Sequence, residues 1–157
     1  MSLTLHLPDS DATVALGRAL ASFISRMDAP PALLLQGDLG SGKTTLVRGF
    51  VESLPGAEAA EVSSPSFNIC NLYPTSPGVA HFDLYRLEGM PPDDALFDAL
   101  EDPDTISVVE WIQFLPKGMW PDQALFLEWI PSDTGRSLVL HAMGGAARDV
   151  IDALGPK

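Results

Sequence analysis

Residues 37 to 44 read Gly37-Asp38-Leu39-Gly40-Ser41-Gly42-Lys43-Thr44, which meets the pattern G-x-x-x-x-G-K-[ST] at every required position. This pattern constrains the fold because it works only between a strand and a helix. Before it stands Ala32 to Gln36, a short apolar run that reads as a buried strand. After it, Leu46, Val47, Phe50, Val51 and Leu54 fall on one face of a helix predicted over Lys43 to Leu54 and stopped by Pro55-Gly56. Glycines let the loop fold tightly, so that its N–H groups can point at phosphate oxygens. The helix N-terminus adds unpaired donors and the positive end of its dipole. Lys43 is then the candidate for the β- and γ-phosphates and Thr44 for a magnesium ion. The stretch from Gly37 to Thr44, with Thr45 beside it, is the candidate nucleotide cradle. A glycine-rich turn that merely contains a lysine would not require the flanking strand and helix.

The rest of the chain alternates strands and helices, with no internal repeat or low-complexity tract. Thr4 to Leu7 alternates as a short strand. Asp9-Ser10-Asp11 offers helix-capping residues, and Ala12, Leu16, Ala19, Leu20, Phe23 and Ile24 follow at helical spacing until Pro30-Pro31. Phe67, Ile69 and Leu72 lead a strand, and Val79 to Leu84 returns from a turn at Pro74 to Gly78, so the pair reads as a hairpin. Pro91-Pro92 opens a short helix through Leu100, and Thr105 to Trp111 is an apolar strand. Ile112 to Gln123 reads as loop. Ala124 to Ile130 and Ser137 to His141 read as strands joined by a turn at Ser132 to Gly135, and Ala146 to Leu154 as a last helix. A chain of 157 residues suits one domain. The expected class is a three-layer α/β P-loop NTPase spanning 1–157. Its mixed sheet has a parallel centre and antiparallel additions, flanked by helices.

A phosphate loop needs an acidic residue at the end of a neighbouring strand. Glu110 ends the β-branched run Thr105-Ile106-Ser107-Val108-Val109, which has the pattern of a buried central strand, and is preferred as the metal-side carboxylate. Asp83 ends Val79-Ala80-His81-Phe82, which looks more like a hairpin arm, and is the candidate second acid of the site. His81 lies two positions before Asp83 and shares its face, where a structural role is the default. Trp111 could pack beside a nucleotide, with core packing its plainer role. Ser63-Ser64-Pro65-Ser66 could be a loop that senses the γ-phosphate, although serine and proline also make ordinary turns.

Charge and composition exclude several classes. The net charge is −12 with nine basic residues, and apart from Lys43 these are scattered, Arg136 among them. Tight direct binding of tRNA or DNA needs clustered cations, so an acidic surface fits a basic protein partner better. No apolar run approaches the roughly 20 residues of a membrane span, and Met1 to Leu7 lacks the basic start of a signal peptide. The single cysteine, Cys70, is read as a buried structural residue in a reducing cytoplasm. The three histidines are too dispersed for a zinc site. Guanine recognition in P-loop GTPases uses Asn-Lys-x-Asp, which does not occur here, so adenine is favoured.

Taken together, the motifs resemble the TsaE (YjeE) family of bacterial ATPases. The loop continues as Thr45-Leu46-Val47-Arg48-Gly49-Phe50, as in that family. Ser64-Pro65-Ser66-Phe67 resembles its Ser-Pro-Thr-Phe/Tyr segment, with Ser66 where threonine is usual. His81-Phe82-Asp83-Leu84-Tyr85-Arg86 is similar to its His-x-Asp-x-Tyr-Arg stretch, and Val109-Glu110-Trp111 to its Glu-Trp strand end. Order and spacing agree over roughly residues 8 to 142. The resemblance implies an ATPase that acts with magnesium in making threonylcarbamoyladenosine beside the tRNA anticodon. Such a protein docks on a threonylcarbamoyltransferase heterodimer of TsaB and TsaD type, and reaches tRNA only through that complex. It implies that Lys43 grips phosphate, that Thr44 and Glu110 hold magnesium, that Asp83 is a further essential acid, and that Ser10 and Thr13 flank the adenine. A small-molecule P-loop kinase and an ATP-dependent switch with negligible hydrolysis are the alternative readings.

Overall fold

The computed structural model describes every residue except 39, 64–69, 86–91, 93, 132–133 and 156–157. Seven strands form one sheet: β1 (Ser2–Leu7), β2 (Ala32–Gln36), β3 (Cys70–Tyr73), β4 (Gly78–Asp83), β5 (Thr105–Glu110), β6 (Ala124–Ile130) and β7 (Arg136–Met143). Among the described residues, four α-helices accompany them: α1 (Ser10–Ile24), α2 (Lys43–Glu52), α3 (Asp94–Glu101) and α4 (Gly145–Leu154). The strand order is β1-β7-β6-β2-β5-β4-β3. β4, β5, β2 and β6 run parallel. β3 joins β4, β7 joins β6 and β1 joins β7 antiparallel. The expected class is therefore found, a parallel centre with antiparallel strands added at both edges.

Leu33, Leu34 and Leu35 show why β2 is central. All three are fully buried, and strand periodicity sends them to opposite faces. Leu33 and Leu35 meet the larger core with α1, α2 and α4, while Leu34 joins the smaller core with Leu96 of α3, Ile112 and Leu115. Burying each such side chain contributes about 2 kcal/mol, and a strand buried on both faces has no polar side to leave exposed.

Several sequence expectations shift in detail. The helix after the loop ends at Glu52 rather than Leu54. Two 3₁₀ turns, Ile112–Phe114 and Lys117–Met119, occupy the stretch read as loop. They carry Ile112 and Leu115 into the smaller core, an apolar pattern too short to register as a helix. The β4 arm of the hairpin is also an inner strand, because its other edge pairs with β5. Cys70 is half-buried rather than buried, since β3 is the sheet edge; burial still pushes its thiol pKa up, which keeps it unreactive. Phe67, Ile69 and Pro91, and part of the turn at 132–135, lie outside the described residues. Among the described residues, no helix is long and apolar enough to cross a membrane.

α1 and α2 touch backbone to backbone. A Cβ at Gly17 would lie 2.4 Å from the carbonyl oxygen of Leu46, and one at Gly49 would lie 2.5 Å from that of Val14. Only glycine permits that approach, and it brings the start of α1 against the start of α2.

Candidate functional site

α2 begins at Lys43 directly after Gly42, whose φ of 113° is left-handed and suits glycine. Among the described residues no side chain caps this helix, which leaves its first N–H groups available as donors. Lys43 is only 5% exposed. Its Nζ donates to the carbonyl oxygens of Gly37 (2.6 Å) and Asp38 (2.8 Å) and to Ser41 Oγ (3.3 Å). It also lies 4.5 Å above the ring of Trp111. Burial lowers the ammonium pKa, and the nearby carboxylates of Glu110, Asp83 and Asp38 oppose that shift. Three acidic groups thus converge on one buried cation.

Two of those groups come from the sheet. Asp83 and Glu110 end β4 and β5 and are register partners. The two-residue period puts both on the α2 side, as it does His81. Glu110 is 2% exposed, and its Oε1 lies 3.5 Å from Thr44 Oγ1. Its Oε2 meets Nε2 of His81 at 2.5 Å. Asp83 is half-buried, and its Oδ1 accepts the Tyr85 N–H at 2.9 Å.

Thr44 and Glu110 present hard oxygen donors. Adjacent oxygens around octahedral magnesium stand about 3 Å apart, close to the separation of this pair, so the two fit that ion. Among the described residues, no group of three His, Cys, Asp or Glu could hold a metal by itself. A cation here would therefore need further ligands, which suits an ion that keeps waters and phosphate oxygens.

Trp111 follows Glu110 with φ 57°, the one non-glycine residue in the left-handed region among the described residues. A tryptophan there is strained unless its surroundings fix it. Its ring packs 4.8 Å from Tyr85 and stacks on Phe114 at 5.9 Å. The turn keeps that ring over Lys43, so Trp111 does more than fill the core.

On the other side of the loop lies a cavity of about 280 Å³, lined by Asp9, Ser10, Thr13, Gly42, Thr45 and Arg136 among others. Asp9, rather than Ser10, caps α1 by accepting the Ala12 N–H at 2.8 Å. Ser10 is exposed, while Thr13 is buried at 3%. The structure thus gathers the residues singled out in the sequence into two adjoining groups. Lys43, Thr44, Asp83 and Glu110 form one, and Ser10, Thr13 and Thr45 line the other. Asp38 and Gly40 lie exposed on the loop between them, while Gly37 and Ser41 are buried. Leu39 and the segment Ser64 to Phe67 lie outside the described residues.

Sequence reasoning missed Arg136. Its Nε donates to the Ser41 carbonyl at 3.3 Å and its Nη2 to the Gly40 carbonyl at 3.1 Å. It reaches the loop from the first residue of β7, and no local pattern marks a partner so far along the chain. The contact of His81 with Glu110 was also missed. The two-residue spacing from His81 to Asp83 pointed to the right face, but not to Glu110 on the next strand.

Comparison with known proteins bears on the family and the fold. Residues 7–138 match the family model for the threonylcarbamoyl adenosine biosynthesis protein TsaE. The tRNA threonylcarbamoyladenosine biosynthesis protein TsaE of Haemophilus influenzae is 29% identical over 97% of this chain and 97% of its own length. That of Synechocystis is 36% identical over 74% of each chain, and that of Bacillus subtilis 31% identical over 84% of this chain and 80% of its own. The crystal structure of Bacillus subtilis YdiB superposes with a TM-score of 0.77 at 23% identity, covering 98% of this chain and 94% of that one, which shows a shared fold. A phosphate-loop fold with its acids at two neighbouring strand ends, matched over most of its length, places this chain in the TsaE family.

Proposed function

We propose that this chain is the ATP-binding and ATP-hydrolysing subunit of the machinery that makes threonylcarbamoyladenosine in tRNA, weak alone and dependent on a threonylcarbamoyltransferase heterodimer. The observation that carries the reading is the convergence of Lys43, Thr44, Glu110 and Asp83 where the uncapped start of α2 meets the ends of β4 and β5. Residues 1–157 would work as one cytoplasmic domain.

The loop N–H groups and Lys43 would hold the phosphates, and the cavity at Ser10 and Thr13 would take the adenine end. Thr44 and Glu110 would hold magnesium, which when bound neutralises charge on the transferred phosphoryl group. Asp83, the further acid, would orient water or metal-bound solvent beside Glu110. Arg136 donates to the Gly40 and Ser41 carbonyls, which would help to keep the loop N–H groups free for phosphate.

With a net charge of −12, the chain would reach tRNA only through its partner. The test is steady-state ATP hydrolysis by the isolated chain, then with the heterodimer, then with tRNA. The isolated rate is expected at or below about 1 per second, the low end of ordinary turnover. The heterodimer should raise it, and a group supplied in trans can be worth about a thousandfold. Brisk phosphorylation of a small molecule without a partner would replace this reading with a kinase. Tight tRNA binding by the isolated chain at physiological salt would overturn the indirect route.

A further inference from the structure

A buried polar chain crosses three strands on the α2 side of the sheet. Glu110 Oε2 meets His81 Nε2 at 2.5 Å. His81 Nδ1 lies 3.1 Å from the Tyr73 hydroxyl, which lies 3.2 Å from the carbonyl oxygen of Ser63. The exposures of Glu110, His81 and Tyr73 are 2%, 0% and 5%. Register explains the line. Tyr73 pairs with Val79, two residues before His81, and His81 pairs with Val108, two residues before Glu110. Each polar group is thus a diagonal neighbour of the next on one face.

We propose that His81 and Tyr73 are positioning residues for Glu110, fixing which carboxylate oxygen faces Thr44 and tying that choice to the main chain at Ser63. The proposal rests on Glu110 serving the metal side of the site. A glutamate side chain has free rotation about three bonds and loses it only if something holds it. Here His81 takes Oε2, which leaves Oε1 toward Thr44. In the tautomer that serves a carboxylate, Nε2 carries the hydrogen and Nδ1 is an acceptor. Tyr73 must then donate to Nδ1. Its one hydroxyl hydrogen is also within reach of the Ser63 carbonyl, so two acceptors share one donor. A shift of the main chain at residue 63 therefore changes the hold on His81, and through it the aim of Glu110. A ligand's supporting hydrogen bonds commonly matter this way for metal affinity.

The test measures ATP affinity with and without magnesium in the full chain, for wild type and for Tyr73→Phe, His81→Leu, His81→Gln and Glu110→Gln, with a thermal melt of each. Without magnesium Tyr73→Phe, His81→Leu and His81→Gln should bind ATP within about twofold of wild type, because the loop, Lys43 and Glu110 are intact. The affinity gained on adding magnesium should fall by about tenfold or more in His81→Leu. It should fall less in Tyr73→Phe, and largely survive in His81→Gln, whose amide N–H can reach the carboxylate. In the nucleotide-free protein, the imidazole nitrogen resonances should show hydrogen at Nε2 in wild type and a changed signature in Tyr73→Phe. A full magnesium gain in both Tyr73→Phe and His81→Leu, with the gain lost in Glu110→Gln, would overturn the proposal and leave the metal-side assignment standing. A full gain in Glu110→Gln itself would overturn that assignment and the proposal with it. Should His81→Leu not fold, Tyr73→Phe and the resonance signature decide.

Discussion

Gly49 of α2 lies against the backbone of Val14 in α1, so close that a Cβ would stand 2.5 Å from the Val14 carbonyl oxygen. Alanine there should gain about 1 kcal/mol of helix propensity yet cost more by forcing the helices apart, since overpacking costs about 1–3 kcal/mol. The net expectation is a loss of stability for Gly49→Ala, and for Gly17→Ala by the same argument. Urea unfolding checks it; a variant as stable as wild type would show that the helices separate freely.

Lys43→Ala should cripple ATP binding. It removes an ammonium that a phosphate would meet in a buried setting, and a charge-assisted hydrogen bond is worth about 1.5–3 kcal/mol, or roughly 10–100-fold in affinity. Thr44→Ala should instead weaken the response to magnesium more than the contact with nucleotide. Equilibrium binding with and without magnesium separates the two. Unchanged ATP affinity in Lys43→Ala would remove the phosphate-loop assignment.

Glu110→Gln should keep the fold and still bind ATP while slowing hydrolysis by about a hundredfold or more, because the charge goes and the shape stays. Single-turnover hydrolysis measures it. A wild-type rate would send the metal-side role to Asp83.

Arg136→Ala should leave the core intact and lower ATP affinity, because the Gly40 and Ser41 carbonyls lose the donors that brace them. At about 1 kcal/mol for such a bond, the loss should be roughly fivefold or more. Calorimetric titration of ATP checks it, and an unchanged affinity would mean that the loop holds its shape unaided.

Tyr73 should titrate late. Burial leads the causes that raise its phenol above the usual value of 10.0. With the folded pKa raised, stability from the neutral phenol is present below pH 10 and is lost as pH rises through the folded value. The chain has two tyrosines, and Tyr85 is exposed. Tyrosinate absorbance should therefore show a late step, above the usual value, coupled to loss of structure. Tyr73→Phe should delete that late step; one that persists would belong elsewhere.

The setting of the loop from Gly37 to Thr44 was legible because its signal is local. Gly37 to Thr44 needs only a strand before it and a helix after it, and both were visible in Leu33–Leu35 and in Leu46, Val47 and Phe50. Glu110 was legible by a weaker route, as the end of a β-branched run that belongs beside β2. Arg136 was not, because a lone arginine at the start of a strand looks the same whether it meets solvent or a loop carbonyl. His81 gave its face and not its partner, since strand order decides which neighbour lies diagonal to it. The 3₁₀ turns after Trp111 were missed because a three-residue segment has no period to detect.

Sheet order also dictates when the site can exist during synthesis. β2 precedes the loop, yet both of its neighbours, β5 and β6, come later in the chain. A nascent chain halted before Thr105 carries the whole phosphate motif on a strand with neither lateral partner, and lacks Glu110. The cavity at Ser10 and Thr13 waits longer still, since Arg136 opens β7 and, among the described residues, β1 pairs only with β7. On the proposed reading, nucleotide capture would therefore be a late event on the ribosome, and ATP could not serve as an early template for folding the half of the protein that carries the phosphate motif.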